Sequence, residues 1–442
     1  MRLSWRDLGT PRADRAAGKS VELTGYPLTA LPTGSAYHFV MMAEPGCCQG
    51  CVPNNPLAVV EVLADEPIKL GNGGRLTLSG TWAVSSDPDG WRYQLHNAEV
   101  KPGVTRRSLM AASSLFCLPV PAMAQTMDGA AVDLHSHGGN LIRASYGRES
   151  FLDVASPMRK GGMSTICLCI VADGPLLNTS GTRIRATRNP RPGELYDFSK
   201  VQFGKLHDLV RSQSMPIVKS GADLRAARAS QPSVIVTSEG GDWLEGRTER
   251  LDEAYQRWQL RQLQLTHYRP NELGDIQTEA AEHGGLTNFG AEVIRRCNQL
   301  GIVVDVAHGT FDLVKRAAST TTKPLILSHT ALSDRPNPWT RLITSDHARA
   351  IASVRGVIGI WPVTQVANVS SYAESIARMV DVVGVDCVGI GTDQLGLTGP
   401  SAMPSYADLP QLAAALGSRF KPDEINKLLG GNYRRVFEAC IA

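Results

Sequence analysis

From residue 131 onward, short apolar runs alternate with helix-periodic stretches, and most of the runs end on a polar or metal-binding side chain. The most telling occupy 131–137 (Ala-Val-Asp-Leu-His-Ser-His), 302–308 (Ile-Val-Val-Asp-Val-Ala-His) and 325–329 (Leu-Ile-Leu-Ser-His). Runs of this kind predict strands near 131–137, 164–172, 232–239, 260–267, 301–308, 323–329, 357–363 and 387–393. Their continuous apolar character is that of parallel strands covered on both faces. Helices fall between them. Phe289, Val293, Ile294, Cys297 and Leu300 recur at helical spacing, with Thr287 placed to cap the start and Gly301 to end it. Eight β/α units of this size fit a (β/α)8 TIM barrel in the α/β class. An open doubly wound sheet is the rival, but it would not naturally gather the ends of the first, third, fifth and sixth strands around one centre.

Residues 18–103 follow another pattern. Segments beginning at Val21, Tyr37, Leu57, Arg75 and Trp91 alternate or run apolar between Gly, Pro, Asn and Asp turns. Short strands at this spacing suggest a small barrel or sandwich, OB-like in kind. The stretch resembles a bacterial exported domain of unknown function that carries a cysteine cluster after its second strand, here Cys47-Cys48-Gln49-Gly50-Cys51. A CxxC pair binds soft metals or cycles as a dithiol. No second CxxC or nearby histidine pair completes a zinc site, so a disulfide or a plain loop competes equally and no ligand is assigned there.

Between these regions, residues 105–125 carry Arg106-Arg107, an uncharged and weakly apolar stretch, and Ala122-Met123-Ala124. That order is the pattern of a twin-arginine export signal with its cleavage site. An apolar linker or a short core helix is the competing reading, and the run is too short and too broken by proline for a membrane span. Its internal position fits either a start of translation near Val104 or a fusion. The expected organisation is a β-rich domain over 1–103, a signal-like linker over 104–125 and a barrel over 126–442. The signal-like segment points to an exported or periplasmic product and leaves the cytoplasm and membrane association open.

Composition narrows the class. A chain of 442 residues with 43% apolar and 20% charged residues is a folded protein with room for two cores. A formal charge of +3 gives no reason to expect a nucleic-acid partner. Nine cysteines are an odd number for a disulfide framework, and Cys167 and Cys169 sit in an apolar run as small buried side chains.

The strand ends carry the chemistry. They present His135 and His137 on the first strand, Glu239 on the third, His267 on the fourth, His308 on the fifth, His329 on the sixth and Asp393 on the eighth. Imidazole and carboxylate are ligands for zinc or a related divalent ion. His135 and His137 stand at i and i+2 and share one strand face. Four imidazoles and a carboxylate exceed one tetrahedral site, whereas two ions bridged by Glu239 would use them all. Asp305 and Asp133 read as partners that orient ligands. His207, His283 and His347 have no such placement.

Taken together, these segments resemble the membrane (renal) dipeptidase family of the amidohydrolase superfamily, from about residue 131 to the C-terminus. The resemblance rests on Ser238-Glu-Gly-Gly, Leu265-Thr-His, Gly285-Leu-Thr-Asn-Phe-Gly, Val304-Asp-Val-Ala-His, Leu327-Ser-His-Thr, Val388-Gly-Ile-Gly-Thr-Asp and Leu429-Gly-Gly-Asn-Tyr-Arg-Arg-Val-Phe, in this order and spacing. It implies two divalent ions, most simply Zn2+, with Glu239 bridging, His135 on the first ion, and His308 and His329 on the second. It implies that His267 lies beside the substrate carbonyl, that Asp393 handles the proton, and that Arg341, with Arg335 as competitor, binds the substrate carboxylate. The implied substrates are dipeptides with a free C-terminus, including those with a C-terminal D-residue. A homodimer is left open.

One position departs from the family. The first strand usually reads His-x-Asp, and here it reads His135-Ser136-His137. A neutral imidazole replaces an anion, so the metal centre carries one more positive charge. Asp242 stands where relatives often have histidine and is expected to alter the substrate mouth. Two other functions remain in view: hydrolysis of another amide, a lactam or an ester, and a non-catalytic metal-binding scaffold.

Overall fold

The computed structural model describes residues 1–28, 35–43, 59–69, 75–85, 92–101, 131–142, 150–178, 184–333, 340–363, 368–396 and 401–441. The signal-like stretch 105–125, the cluster Cys47, Cys48 and Cys51, and Arg335 lie outside the described residues. The chain divides into two compact units, drawn chiefly from Met1–Pro121 and from Ala122–Asn178, Arg185–Gly396 and Ala402–Ala442.

The first unit is a small closed barrel of β1 (Ser20–Leu28), β2 (Ser35–Met42), β3 (Val59–Lys69), β4 (Leu76–Val84) and β5 (Tyr93–Val100), in the order β1-β2-β3-β5-β4. All its described pairings are antiparallel except β3 with β5. Val21, Leu23, Met41, Val60, Val62, Leu78, Trp82 and Leu95 fill its core. Alternate residues therefore point inward, as the period-2 pattern requires. The Trp82 indole N–H, buried with the core, donates to the carbonyl of Ala13.

The second unit carries β6 (Ala131–Ser136), β7 (Met163–Val171), a short hairpin of β8 (Leu177–Asn178) and β9 (Arg185–Ala186), then β10 (Ser233–Glu239), β11 (Leu260–Gln264), β12 (Val303–Asp305), β13 (Leu325–Thr330), β14 (Val357–Ile360) and β15 (Val388–Ile390). Leaving the hairpin aside, the eight strands close into a parallel barrel, with β15 paired to β6 through Ile390 and Asp133. Nearly every strand residue is buried. The period-2 geometry explains why these runs are apolar throughout. On β7, β10 and β13, Ile166 and Leu168, Val234 and Val236, and Leu325 and Leu327 join the cluster shared with the surrounding helices. The alternate residues Cys167, Ile235 and Ile326 face the barrel interior, where Tyr433, Val436 and Phe437 of the C-terminal helix Asn432–Ile441 pack on them. Each fully buried aliphatic side chain contributes roughly 1.5–3 kcal/mol, so both faces must be covered.

The helices start and stop as their ends dictate. In Asn288–Leu300, the Thr287 hydroxyl accepts the Gly290 N–H at 2.9 Å, and Gly301 closes the helix with a left-handed φ of 77°. Thr310, Thr344 and Asn368 cap three further helices in the same way. Several strands are shorter than their apolar runs, among them the fifth of the barrel. The stretch 301–308 yields only Val303–Asp305, because the Asp305 carboxylate accepts the Ala307 and Ser328 N–H groups, both at 3.0 Å, and turns the chain out of the sheet.

Candidate metal centre

The C-terminal ends of the parallel strands bring the candidate ligands together. His135 lies on β6 and His137 directly after it; Glu239 is the last residue of β10; His308 follows β12 and His329 lies on β13. All five are buried. Glu239 is central. Its Oε1 lies 3.5 Å from His135 Nε2, 3.2 Å from His308 Nε2 and 3.5 Å from His329 Nε2, and its Oε2 lies 3.2 Å from His137 Nε2. Two donor sets result, His135–His137–Glu239 and Glu239–His308–His329, with Glu239 common to both.

The imidazoles are turned to offer lone pairs. The His137 Nδ1 sits 2.9 Å from the carbonyl of Cys169, and the His308 Nδ1 sits 2.9 Å from the carbonyl of His267. A carbonyl only accepts, so each Nδ1 carries the proton and each Nε2 is left bare. The His329 Nδ1 is 2.9 Å from the Ser328 hydroxyl. The Nε2 atoms converge in pairs, with His135 and His137 Nε2 3.1 Å apart and His308 and His329 Nε2 3.2 Å apart. Burial, together with Arg341, holds His308 well below the ordinary histidine pKa; burial, His135 and Arg341 do the same for His329. Both are neutral at pH 7, the form that binds a metal. At His135, burial opposes the charge, but Glu239 and Asp393 outweigh it and raise the pKa. Converging lone pairs around a shared carboxylate form a donor set that fits two divalent cations.

Two carboxylates brace the ligands. Asp133 accepts the Thr392 N–H, the Thr392 hydroxyl, the Tyr406 hydroxyl and, at 3.3 Å, the His135 N–H. Asp305 ties β12 to β13 through the bonds named above. Both therefore orient neighbouring strand ends, and neither belongs to the two donor sets.

The other candidates surround the pairs. Asp393 adopts a left-handed φ of 49°, and its Oδ1 lies 3.4 Å from His137 Nε2. Burial raises its pKa, opposed by His135 and His137. A Cβ on Gly396 would collide with Asp393 Oδ1 and His137 Cδ2, so this close approach needs glycine. His267 Nε2 lies 3.4 Å from Glu239 Oε2. Arg341 places Nη2 2.9 Å from His329 Nε2, and its Nη1 donates to Gln277 Oε1 at 3.2 Å.

Asp242 differs from expectation. It is fully buried and accepts from Arg269 Nε and Asn271 Nδ2 at 3.1 Å each, so its carboxylate is engaged within the protein. Burial, with Asp173 next, pushes its pKa up to about 7. His207 instead contacts the Trp258 carbonyl, and neither it nor His347 joins a donor set among the described residues.

Two residues were missed in the sequence. Asp173 holds His267, its Oδ1 2.6 Å from Nδ1 while its Oδ2 accepts the Tyr268 N–H at 3.0 Å. Asp173 lies two residues past the end of β7, so extending the strand-end rule to the second strand would have found it. Gln277 bridges Arg341 and the carbonyl of Leu342, and no local pattern marks it.

A profile of the membrane dipeptidase family, Peptidase family M19, matches residues 158–441. Dipeptidase 3 of Homo sapiens is 27% identical over 252 residues, covering 53% of this chain and 50% of that protein. Dipeptidase aclJ of Aspergillus oryzae is 25% identical over 273 residues, covering 57% of this chain and 64% of that protein. The chain thus spans about half to two thirds of these curated relatives' length. A metallopeptidase of Rhodobacter sphaeroides, solved with a phosphinate mimic of the dipeptide L-Ala-D-Ala, superposes with a TM-score of 0.59 at 19% identity, covering 70% of this chain and 99% of that one. An amidohydrolase of Pseudomonas aeruginosa gives a TM-score of 0.59 at 19% identity, covering 72% and 99%. At these identities the two structures speak to the fold, while the profile spans well over half of the chain: it belongs to the membrane dipeptidase family, Peptidase family M19.

Proposed function

We propose that this chain is a metal-dependent dipeptidase that holds two divalent ions, zinc by the nature of the donors, and cleaves dipeptides with a free C-terminus. The observation that supports it most is the single carboxylate, Glu239, shared by two histidine pairs, with the Arg341 guanidinium 2.9 Å from one of them. The name dipeptidase on its relatives and the L-Ala-D-Ala mimic bound to the Rhodobacter protein favour small peptides, C-terminal D-residues included.

Ions at this site would supply an acidified water and polarisation of the scissile carbonyl. The chain's own residues do the rest. Arg341 takes the substrate carboxylate by charge-assisted hydrogen bonds and thereby limits the peptide's length. Burial excludes bulk water and strengthens each interaction. His267, oriented by Asp173, presents Nε2 to the oxygen that gains charge as the carbonyl becomes tetrahedral. Asp393 takes the proton released when water adds and returns it to the leaving amine.

A pair of assays tests the reading. The zinc-reconstituted chain should hydrolyse free dipeptides and discriminate strongly against the same dipeptides amidated at the C-terminus. Equal rates on both would favour a different amide or ester substrate. Arg106-Arg107 and the Ala-x-Ala pattern support export to the periplasm. No helix among the described residues is long and apolar enough to cross a membrane.

A further inference from the structure

Trp361 follows β14, at the same end of the barrel as the donor sets, and only 3% of it is exposed. Its ring lies beside the site. The ring centroids of Trp361 and His329 are 5.8 Å apart, and the Arg341 guanidinium carbon lies 5.4 Å from the indole centroid. The backbones of both residues are tied to one residue. The backbone N–H of Trp361 donates to the carbonyl of Thr330 at 3.0 Å, and the Thr330 hydroxyl donates to the backbone carbonyl of Arg341 at 2.9 Å. The points from which indole and guanidinium extend are therefore linked through Thr330.

The indole Nε1–H of Trp361 is buried and has no hydrogen-bond partner among the described residues. Three other indoles among the described residues are satisfied. Trp5 donates to the carbonyl of Thr24, Trp82 to that of Ala13 and Trp243 to the hydroxyl of Ser238. A buried donor left unpaired is costly, and such orphans call for an explanation where they occur. Here the orphan adjoins the cation that, in the reading above, receives the substrate's C-terminus. An incoming peptide brings oxygen acceptors to that place.

We propose that Trp361 is a substrate-binding residue whose indole N–H donates to an oxygen of the substrate's C-terminal group, beside the clamp of Arg341. This inference rests on the dipeptidase reading. The two donors differ in kind. A guanidinium distinguishes a carboxylate from an amide by charge, whereas a neutral N–H bonds an oxygen of either. Trp361 thus adds affinity without adding preference for the free acid.

The test compares zinc-reconstituted wild type, Trp361→Phe and Arg341→Met on one dipeptide and its C-terminal amide. Trp361→Phe keeps an aromatic ring and deletes the N–H. It should raise KM for both substrates, roughly ten-fold for the free acid, with kcat within a few-fold of wild type and the preference for the free acid retained. Arg341→Met should erase that preference. An unchanged KM in Trp361→Phe overturns the inference and leaves the dipeptidase reading intact, as does loss of the preference, which would show that the indole acts only through Arg341. A wild type that cleaves no dipeptide overturns both. Should Trp361→Phe not fold, the wild type labelled with 15N in its indoles decides. Saturation with a phosphinate dipeptide mimic should move one buried indole N–H resonance downfield, and a spectrum without such a movement overturns the inference.

Discussion

The carboxylate of Asp173 lies 2.6 Å from His267 Nδ1, and that contact sets which nitrogen of the imidazole faces Glu239. Burial disfavours a charged His267, yet Asp173 and then Glu239 lift its pKa to about 9. The pair joins the ends of β7 and β11, so the barrel itself aims the Nε2–H at the centre.

Asp173→Asn should therefore lower kcat by about 10–100-fold while leaving metal content unchanged, because the amide carries no charge and its one oxygen cannot accept from both His267 and Tyr268, while no ligand is removed. Steady-state kinetics alongside metal analysis check it. Loss of metal with activity would place Asp173 in the metal site instead.

Asp393→Asn should keep near-normal metal content and lose turnover by orders of magnitude, since it removes proton transfer. Gly396→Ala probes the same group without touching it. Its new methyl would displace Asp393 and His137, and a loss of at least ten-fold in kcat is expected with the fold retained by circular dichroism. An unaffected kcat would show that the loop yields and that the contact is incidental.

His137→Asp restores the family's usual residue and returns an anion to the first pair. It should tighten metal binding there, read as a lower dissociation constant in competition with a chelator. Weaker binding would show that the Cys169 carbonyl and the imidazole it orients are matched to this chain's own geometry.

His347 gives a pH dependence away from the site. Burial is the largest influence on it and holds its pKa down to about 4, against 6.5 unfolded. Above pH 6.5 both states are neutral. Below it the unfolded chain takes up the proton first, so stability falls as pH drops from 6.5 towards 4. The full loss is about 3 kcal/mol from the shift in pKa. Thermal midpoints of wild type and His347→Gln should converge, or cross, as pH falls through this window. Parallel curves would contradict it.

Much of this was legible in the chain because the signals are local. A strand covered on both faces has to be apolar throughout, so all eight barrel strands stand out, and a strand that ends in histidine announces itself. Thr287 and Gly301 mark their helix within one turn. What escaped are contacts between residues remote in sequence. Asp173 meets His267 across 94 positions, Gln277 meets Arg341 across 64, and Tyr406 reaches Asp133 across 273. Each bond is fixed by how the strands are ordered around the barrel. Asp242 misled for a related reason: its position beside Glu239 in sequence suggested the mouth, but the turn at Gly240, with φ of 91°, accompanies a carboxylate buried beneath Arg269.

The central claim is that Glu239 holds two ions at once. Inductively coupled plasma mass spectrometry on the zinc-reconstituted full chain, with Glu239→Gln beside it, tests this most directly. The account predicts about two ions per wild-type chain and a weakening of both in Glu239→Gln, because one carboxylate serves both histidine pairs. A single ion per wild-type chain, or a variant that loses one ion and keeps the other at full affinity, would contradict it.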